Sequence, residues 1–268
     1  MSDDVREYYD SEAEMEWGRL ANPYSIVEFK STVYLIDKYF KKEGHVLDIG
    51  SGPGRYSMEL LKKGYKVSLL DISKNELKIA KRKIEEEGLS AEGYYVKSAL
   101  ELEEFEDESF DGILVMGPLY HLHDEEERLK VLSEVYRILK KDGVALVAYI
   151  NTWGCLKPAV SEFPEVFADK EHFGRYLKGD LKFPKEESFT KTYFTTPIIA
   201  LDEVRKSKFN ILSYAGAESF VSGLNIQMKN LCRYMPDIYD NFLEAAIKAC
   251  ELPQFRDSTE HLNIIVKK

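Results

Sequence analysis

The 268-residue chain carries 47 acidic and 37 basic side chains, a net charge of −10, so it lacks the basic balance that a broad nucleic-acid footprint needs. No run of about 18 apolar residues exists, which excludes a membrane-spanning helix, and the acidic opening MSDDVREYYDSEAEMEWGRL lacks the apolar stretch of a signal peptide. Three scattered cysteines, Cys155, Cys232 and Cys250, form no disulfide framework and point to a reducing cytoplasm; no metal site is expected.

In chain order, residues 1–23 carry an apolar stripe (Val5, Tyr8, Tyr9, Met15, Trp17, Leu20) that predicts a helix needing a surface to cover. Apolar spacing of three and four predicts a helix over 24–41. HVLDIG reads as a short buried strand, RYSMELLKKG as a helix closed by Gly64, and YKVSLLD as a second strand. SKNELKIAKRKIEEEG opens with Ser73 and Glu76 in a capping box and stops at Gly88. EGYYVKSA and FDGILVMG follow as strands. The segment DEEERLKVLSEVYRILKKDG predicts a helix running to Gly143, with acids first and lysines last as the helix dipole favours, and VALVAYI a fifth strand. Residues 152–196 break the pattern with prolines and aromatics. LDEVRKSKF then predicts a helix, NILSYAGAESF a strand, 225–250 helix, and HLNIIVKK a last strand. Alternating helices and continuous apolar strands predict a doubly wound α/β fold with a mostly parallel, seven-stranded sheet and helical lid additions. One domain over 1–268 is expected, with a lid segment at 1–23 and an insertion at 152–196 over the site.

The loop Asp48-Ile49-Gly50-Ser51-Gly52-Pro53-Gly54 follows the first strand, where open α/β sheets bind ligands. Its spacing is G-x-G-x-G, not the G-x-G-x-x-G of dinucleotide sites. Asp48 would repel a pyrophosphate and suits an ammonium group. Asp71, ending the second strand, can accept hydrogen bonds from ribose hydroxyls. These features describe a nucleoside with a cationic amino-acid tail and no phosphate.

VLDIGSGPG, the strand-end Asp71, FEDESFDGILVMGPLYHL and RILKKDGVALVAYI together resemble class I S-adenosylmethionine-dependent methyltransferases, most closely the ubiquinone/menaquinone-methyltransferase-like branch of small-molecule enzymes. Residues 201–221 and 261–266 resemble that fold's closing helix and antiparallel strand pair. The resemblance implies S-adenosylmethionine as cofactor and S-adenosylhomocysteine as product. By position, Gly50, Ser51, Gly52 and Gly54 would line the methionine part, Asp48 the ammonium, Asp71 the ribose and Ile72 the adenine. Ser98, followed by Ala99 and Leu100, occupies the place where the family often has an adenine-binding Asp. Met116 and Gly117 would floor the cofactor.

Methyl transfer needs alignment and dryness more than activation. His121, after the fourth strand, is the base candidate, the alternative being that it only packs on the cofactor edge. Tyr120 lies beside it, and Tyr9, Trp17 and Trp153 in the two additions are expected around a partly aromatic small-molecule acceptor. Two other readings stand: an RNA or protein methyltransferase, which the acidic balance disfavours, and a sensor that binds the cofactor without turnover. The acceptor atom and the oligomeric state stay open.

Overall fold

Short apolar strands flanked by glycine turns cannot bury both faces alone, so helices cover them. The computed structural model describes residues 3–268. It contains α1 (Asp3–Arg19), α2 (Ile26–Tyr39), β1 (His45–Ile49), α3 (Arg55–Lys62), β2 (Lys66–Asp71), α4 (Lys74–Glu86), β3 (Gly93–Val96) and β4 (Phe110–Val115). Then follow α5 (Glu125–Ile138), β5 (Leu139–Asn151), α6 (Thr152–Glu162), α7 (Lys170–Lys178), β6 (Leu181–Phe183), β7 (Thr192–Thr195), α8 (Pro197–Lys206), β8 (Asn210–Gly216), α9 (Asn225–Tyr234), α10 (Pro236–Ala249), α11 (Pro253–Arg256) and β9 (His261–Lys267).

Strands β3-β2-β1-β4-β5 run parallel in that order; β9 pairs antiparallel with β5, and β8 with β9. These are the seven expected strands. The insertion adds two more. Its β7 runs alongside the end of β5, with Ile150 opposite Phe194, and β6 pairs antiparallel with β7. One face of the sheet packs Leu47, Ile49, Ile113, Val115 and Val147 against α5 and α8. The other packs Val46, Val67, Leu69, Leu114 and Leu146 against α2, α3 and α4. Each such side chain contributes about 1.5–3 kcal/mol on burial.

The helix predicted to run to Gly143 ends at Ile138 instead. Leu139 pairs with Phe110 and Val144 with Gly112, so Lys140–Gly143 bulge from the strand between them. Asp142 takes a left-handed turn position, with φ 62°. Tertiary pairing overrides the local helix pattern here, because Leu139 lies fully buried against β4.

A buried ion pair locks the α5–α8 layer. Arg128 Nε and Nη2 donate to the Glu203 carboxylate at 3.1 and 2.6 Å, and Tyr149 Oη donates to the same group at 3.2 Å. Arg128 Nη1 also donates to the Leu122 carbonyl at 2.8 Å, which anchors the turn after β4. Removing one partner of such a pair leaves an uncompensated charge. Glu203→Ala should therefore lower unfolding free energy in chemical denaturation by about 3–5 kcal/mol, and a loss smaller than that of an ordinary surface substitution would contradict the lock.

Candidate active site

The turn after β1 is built for close approach. Gly50, Gly52 and Gly54 have φ of 75°, 52° and 82°, in the left-handed region that glycine occupies freely. At Gly50 a Cβ would lie 2.5 Å from Pro118 Cδ and 2.7 Å from the Met116 carbonyl, so no side chain fits. The Gly50 and Ser51 N–H groups donate to the Leu70 carbonyl at 2.8 and 3.2 Å. The Gly52 N–H donates to Asp71 Oδ2, and Ser73 N–H to Asp71 Oδ1, both at 2.8 Å. Asp71 thus ties the glycine turn to the start of α4. Burial raises its pKa to about 6 even though the two backbone N–H groups oppose the shift.

Above this turn lies a cavity of about 430 Å³ at the carboxyl ends of the parallel strands. Gly50, Ser51, Gly52, Asp71, Ile72, Ala99, Met116, Gly117, Tyr120, His121 and Tyr9 all border it. Several predicted residues do not. Asp48 is fully buried behind the turn; its Oδ2 accepts from Ser57 Oγ at 2.6 Å, Oδ1 has no partner, and burial pushes its carboxyl up to about 7. Gly54 heads α3 and packs toward Ala80. Ser98 and Leu100 form a local turn, with Leu100 N–H donating to Ser98 Oγ at 3.2 Å, while the neighbouring Lys97 and Ala99 reach the cavity. Trp17 lies outside it, with Arg55 and Lys83 over its ring at 5.1 and 5.4 Å. Trp153 joins α6 to α7 by donating from Nε1 to the Leu177 carbonyl at 2.9 Å. Met15, counted in the apolar stripe of α1, is exposed to solvent.

The cover is α1. Asp10 Oδ1 accepts from Ser73 Oγ at 2.7 Å and from the Asn75 N–H at 3.1 Å, so the helix is pinned on the start of α4. Its first turn meets the insertion, where Lys185 pairs with Asp4 at 2.6 Å. Tyr8 and Phe189, with rings 5.5 Å apart, close the same side.

His121 and Tyr9 meet inside. His121 Nδ1 lies 2.8 Å from the Lys191 carbonyl, which only accepts, so Nδ1 carries the hydrogen. Nε2 is then the acceptor for the Tyr9 hydroxyl at 2.9 Å. Burial lowers the imidazole to about 4 and raises the Tyr9 phenol well above its ordinary range. Both groups are uncharged at neutral pH.

The sequence reading missed a charged cluster on the cavity wall. Arg19 donates to Glu16 at 3.0 Å and to Glu28 at 3.1 Å, and His261 Nδ1 donates to Glu218 at 2.6 Å. Burial opposes the charge on His261, but the Glu28 and Glu218 carboxylates prevail and raise it to about 9. Arg19 and His261 both border the cavity. The acceptor atoms of Glu28 and Glu218 and the His261 imidazole lie within 4.8 Å of one another, but Arg19 and the Nδ1 hydrogen already neutralise them. No short-range motif marks these residues, which come from α1, α2, the segment after β8 and the start of β9.

Residues 46–143 match a sequence-family model described as a methyltransferase domain. The chain is similar to the ubiquinone/menaquinone biosynthesis C-methyltransferase of Wigglesworthia glossinidia brevipalpis, 33% identical over 38% of this chain and 41% of that protein. It is also similar to the methyltransferase GfsG of Streptomyces halstedii, 28% identical over 62% of this chain and 64% of that one. The chain therefore spans less than two thirds of either relative. Among solved structures, the 1,6-didemethyltoxoflavin-N1-methyltransferase of Burkholderia thailandensis, bound to 1,6-didemethyltoxoflavin and S-adenosylhomocysteine, superposes with a TM-score of 0.59 at 14% identity, over 98% of this chain and 87% of that one. At that identity the likeness shows the fold. Among the described residues, no helix is long and apolar enough to cross a membrane.

The two histidines should titrate in opposite directions from the ordinary value near 6.5. Side-chain NMR should show His121 neutral down to about pH 5 and His261 charged up to about pH 8. By linkage, the His121 contribution to stability is lost as pH falls from its unfolded value toward 4, and that of His261 as pH rises through 9. Two histidines titrating together near 6.5 would contradict both environments.

Proposed function

We propose that this chain, a class I S-adenosylmethionine-dependent methyltransferase by its domain match and its sheet, methylates a small, partly aromatic molecule at an oxygen, nitrogen or carbon that gives up a proton. The observation that carries the reading is the covered cavity in which the glycine turn, Asp71 and the Tyr9–His121 pair converge.

The cofactor fits the residues present. Asp71 offers carboxylate lone pairs to ribose hydroxyls, Ile72 and Ala99 offer apolar surface to the base, and the turn at Gly50–Gly52 brings backbone close. Arg19 and His261 supply positive charge for the amino-acid carboxylate. The buried Asp48 lies behind the turn, and its influence on the ammonium end acts through the turn or through water. When bound, S-adenosylmethionine supplies a methyl group already activated by the positive sulfur.

The chain's own part is to orient the acceptor, exclude water and move a proton. Helix α1 and Phe189 of the insertion serve as the cover. As the acceptor's proton passes to Tyr9 Oη, the Tyr9 hydrogen passes to His121 Nε2, and the imidazolium later releases it to solvent. An imidazole lowered to about 4 is a weak base. It takes a proton only from a group made strongly acidic by methylation. That favours a hydroxyl, an aromatic ring nitrogen or a ring carbon over an aliphatic amine, whose methylated product holds its proton firmly. The covered cavity and the net charge of −10 argue against a polymer substrate.

Incubating the protein with labelled S-adenosylmethionine and fractionated metabolite extracts should yield S-adenosylhomocysteine and a labelled product heavier by one CH₂. Tight binding of the cofactor with no labelled product from any extract would instead establish the sensor reading. On the acceptor so found, His121→Ala and Tyr9→Phe should each lower turnover by about 10²–10⁴-fold, with cofactor affinity by calorimetry nearly unchanged. Near-normal turnover in both variants would leave the pair as packing.

A further inference from the structure

Glu76 stands apart from every other carboxyl group in the cavity wall. It is fully buried, and neither carboxyl oxygen has a hydrogen-bond partner among the described residues. It lies on the first turn of α4, beside the glycine turn; a Cβ built on Gly52 would be 3.9 Å from Glu76 Oε2. Its own capping box is only half made. The Glu76 N–H donates to Ser73 Oγ at 3.1 Å, but the Ser73 N–H, the usual partner of such a glutamate, donates to Asp71 Oδ1. The Glu76 side chain is therefore released from local work and borders the cavity next to Asp71.

An unpartnered buried polar group destabilises the fold that carries it, so its persistence calls for a ligand. The groups facing it decide its charge. Asp71 at the end of β2, and Asp10 and Glu16 on α1, are like charges. Arg19 on α1 is the cation that acts on it among the described residues, and Arg19 is already engaged by Glu16 and Glu28. Burial first, then Asp71 and Glu16, raise the Glu76 carboxyl to about 9.

We propose that Glu76 is a second, uncharged acid of the ribose subsite, donating a hydrogen bond to one hydroxyl oxygen of the cofactor's ribose while ionised Asp71 accepts one from the diol. This rests on an S-adenosyl cofactor occupying the cavity. The division of labour suits a vicinal diol, whose hydroxyls each donate and accept. It also allows two neighbouring carboxyl groups to serve one ligand without mutual repulsion. Because a ligand over Glu76 excludes water further, binding and the proton on Glu76 support each other.

The test is calorimetric binding of 5′-methylthioadenosine, which carries the ribose and base but no amino-acid group that titrates near 9, to wild type, Glu76→Gln and Glu76→Leu. Glutamine keeps a neutral donor and acceptor, so Glu76→Gln should bind within about threefold of wild type at pH 7. Glu76→Leu should lose about tenfold or more. Wild-type affinity should fall above pH 9, and that of Glu76→Gln should not. The apo form of Glu76→Leu should melt at higher temperature than apo wild type, with the gap widening from pH 5 toward pH 9, because the native carboxyl holds a proton that the unfolded one releases. Full affinity in Glu76→Leu overturns the ligand role. A loss in Glu76→Gln as large as in Glu76→Leu overturns the uncharged acid in favour of an ionised acceptor. No binding to wild type would instead remove the cofactor reading on which the proposal stands.

Discussion

The site depends on one carboxylate. Asp71 ends a buried strand and receives the N–H groups of Gly52 and Ser73 at 2.8 Å each. Through these two bonds the carboxyl edge of the sheet, the glycine turn and the first turn of α4 take up one fixed relation. Hydrogen bonds to charged acceptors are stronger than neutral ones, and stronger still away from water. Ser73, so oriented, turns its hydroxyl to Asp10 and seats the cover helix. The cavity's floor, wall and roof are thus linked through a single side chain that also borders the cavity.

The surrounding carboxyl groups show what such a site costs the fold. Asp48, Asp71 and Glu76 are all buried, and burial raises each one. Asp48 Oδ1 and both oxygens of Glu76 lack hydrogen-bond partners among the described residues. A fold under no functional demand would place apolar side chains there. The offsetting stability lies elsewhere, in the two apolar layers on the sheet and in the Arg128–Glu203 lock, which is remote from the turn in sequence but anchors the loop bearing His121 through the Leu122 carbonyl. Stability and chemistry therefore meet at the loop after β4. The same loop holds His121 neutral and presents Nε2 to Tyr9.

The charged and uncharged groups of the cavity wall divide its work. Arg19 and His261, each balanced by glutamates, form a charged set; Tyr9, His121, Tyr120 and Phe189 form an uncharged aromatic set on the same wall. A cofactor with an ionic tail matches the first environment. A partly aromatic acceptor matches the second, where desolvation keeps the proton-handling groups neutral.

The α/β alternation, the order of strand and helix, and the glycine turn were legible along the chain because each is a local matter. Apolar periodicity selects strand or helix, and Gly50, Gly52 and Gly54 mark left-handed backbone that other residues avoid. Asp71 was legible for the same reason, as the polar end of an apolar run. Local pattern misled where pairing across the sheet took over, as in the bulge at Lys140–Gly143, and where a side chain's partner lay far away. Trp153 looked like a wall of the site and is a brace between α6 and α7. Glu76 looked like one half of a capping box, and only the folded structure shows Asp71 taking the Ser73 N–H and leaving that carboxyl to the cavity. Arg19, Glu28, Glu218 and His261 share no spacing, since they are gathered from four parts of the chain by packing. Sequence by itself determined the elements and the turn, whose causes lie within a few residues. Tertiary structure alone decided which charges face one another, because burial and electrostatic pairing depend on distances through space.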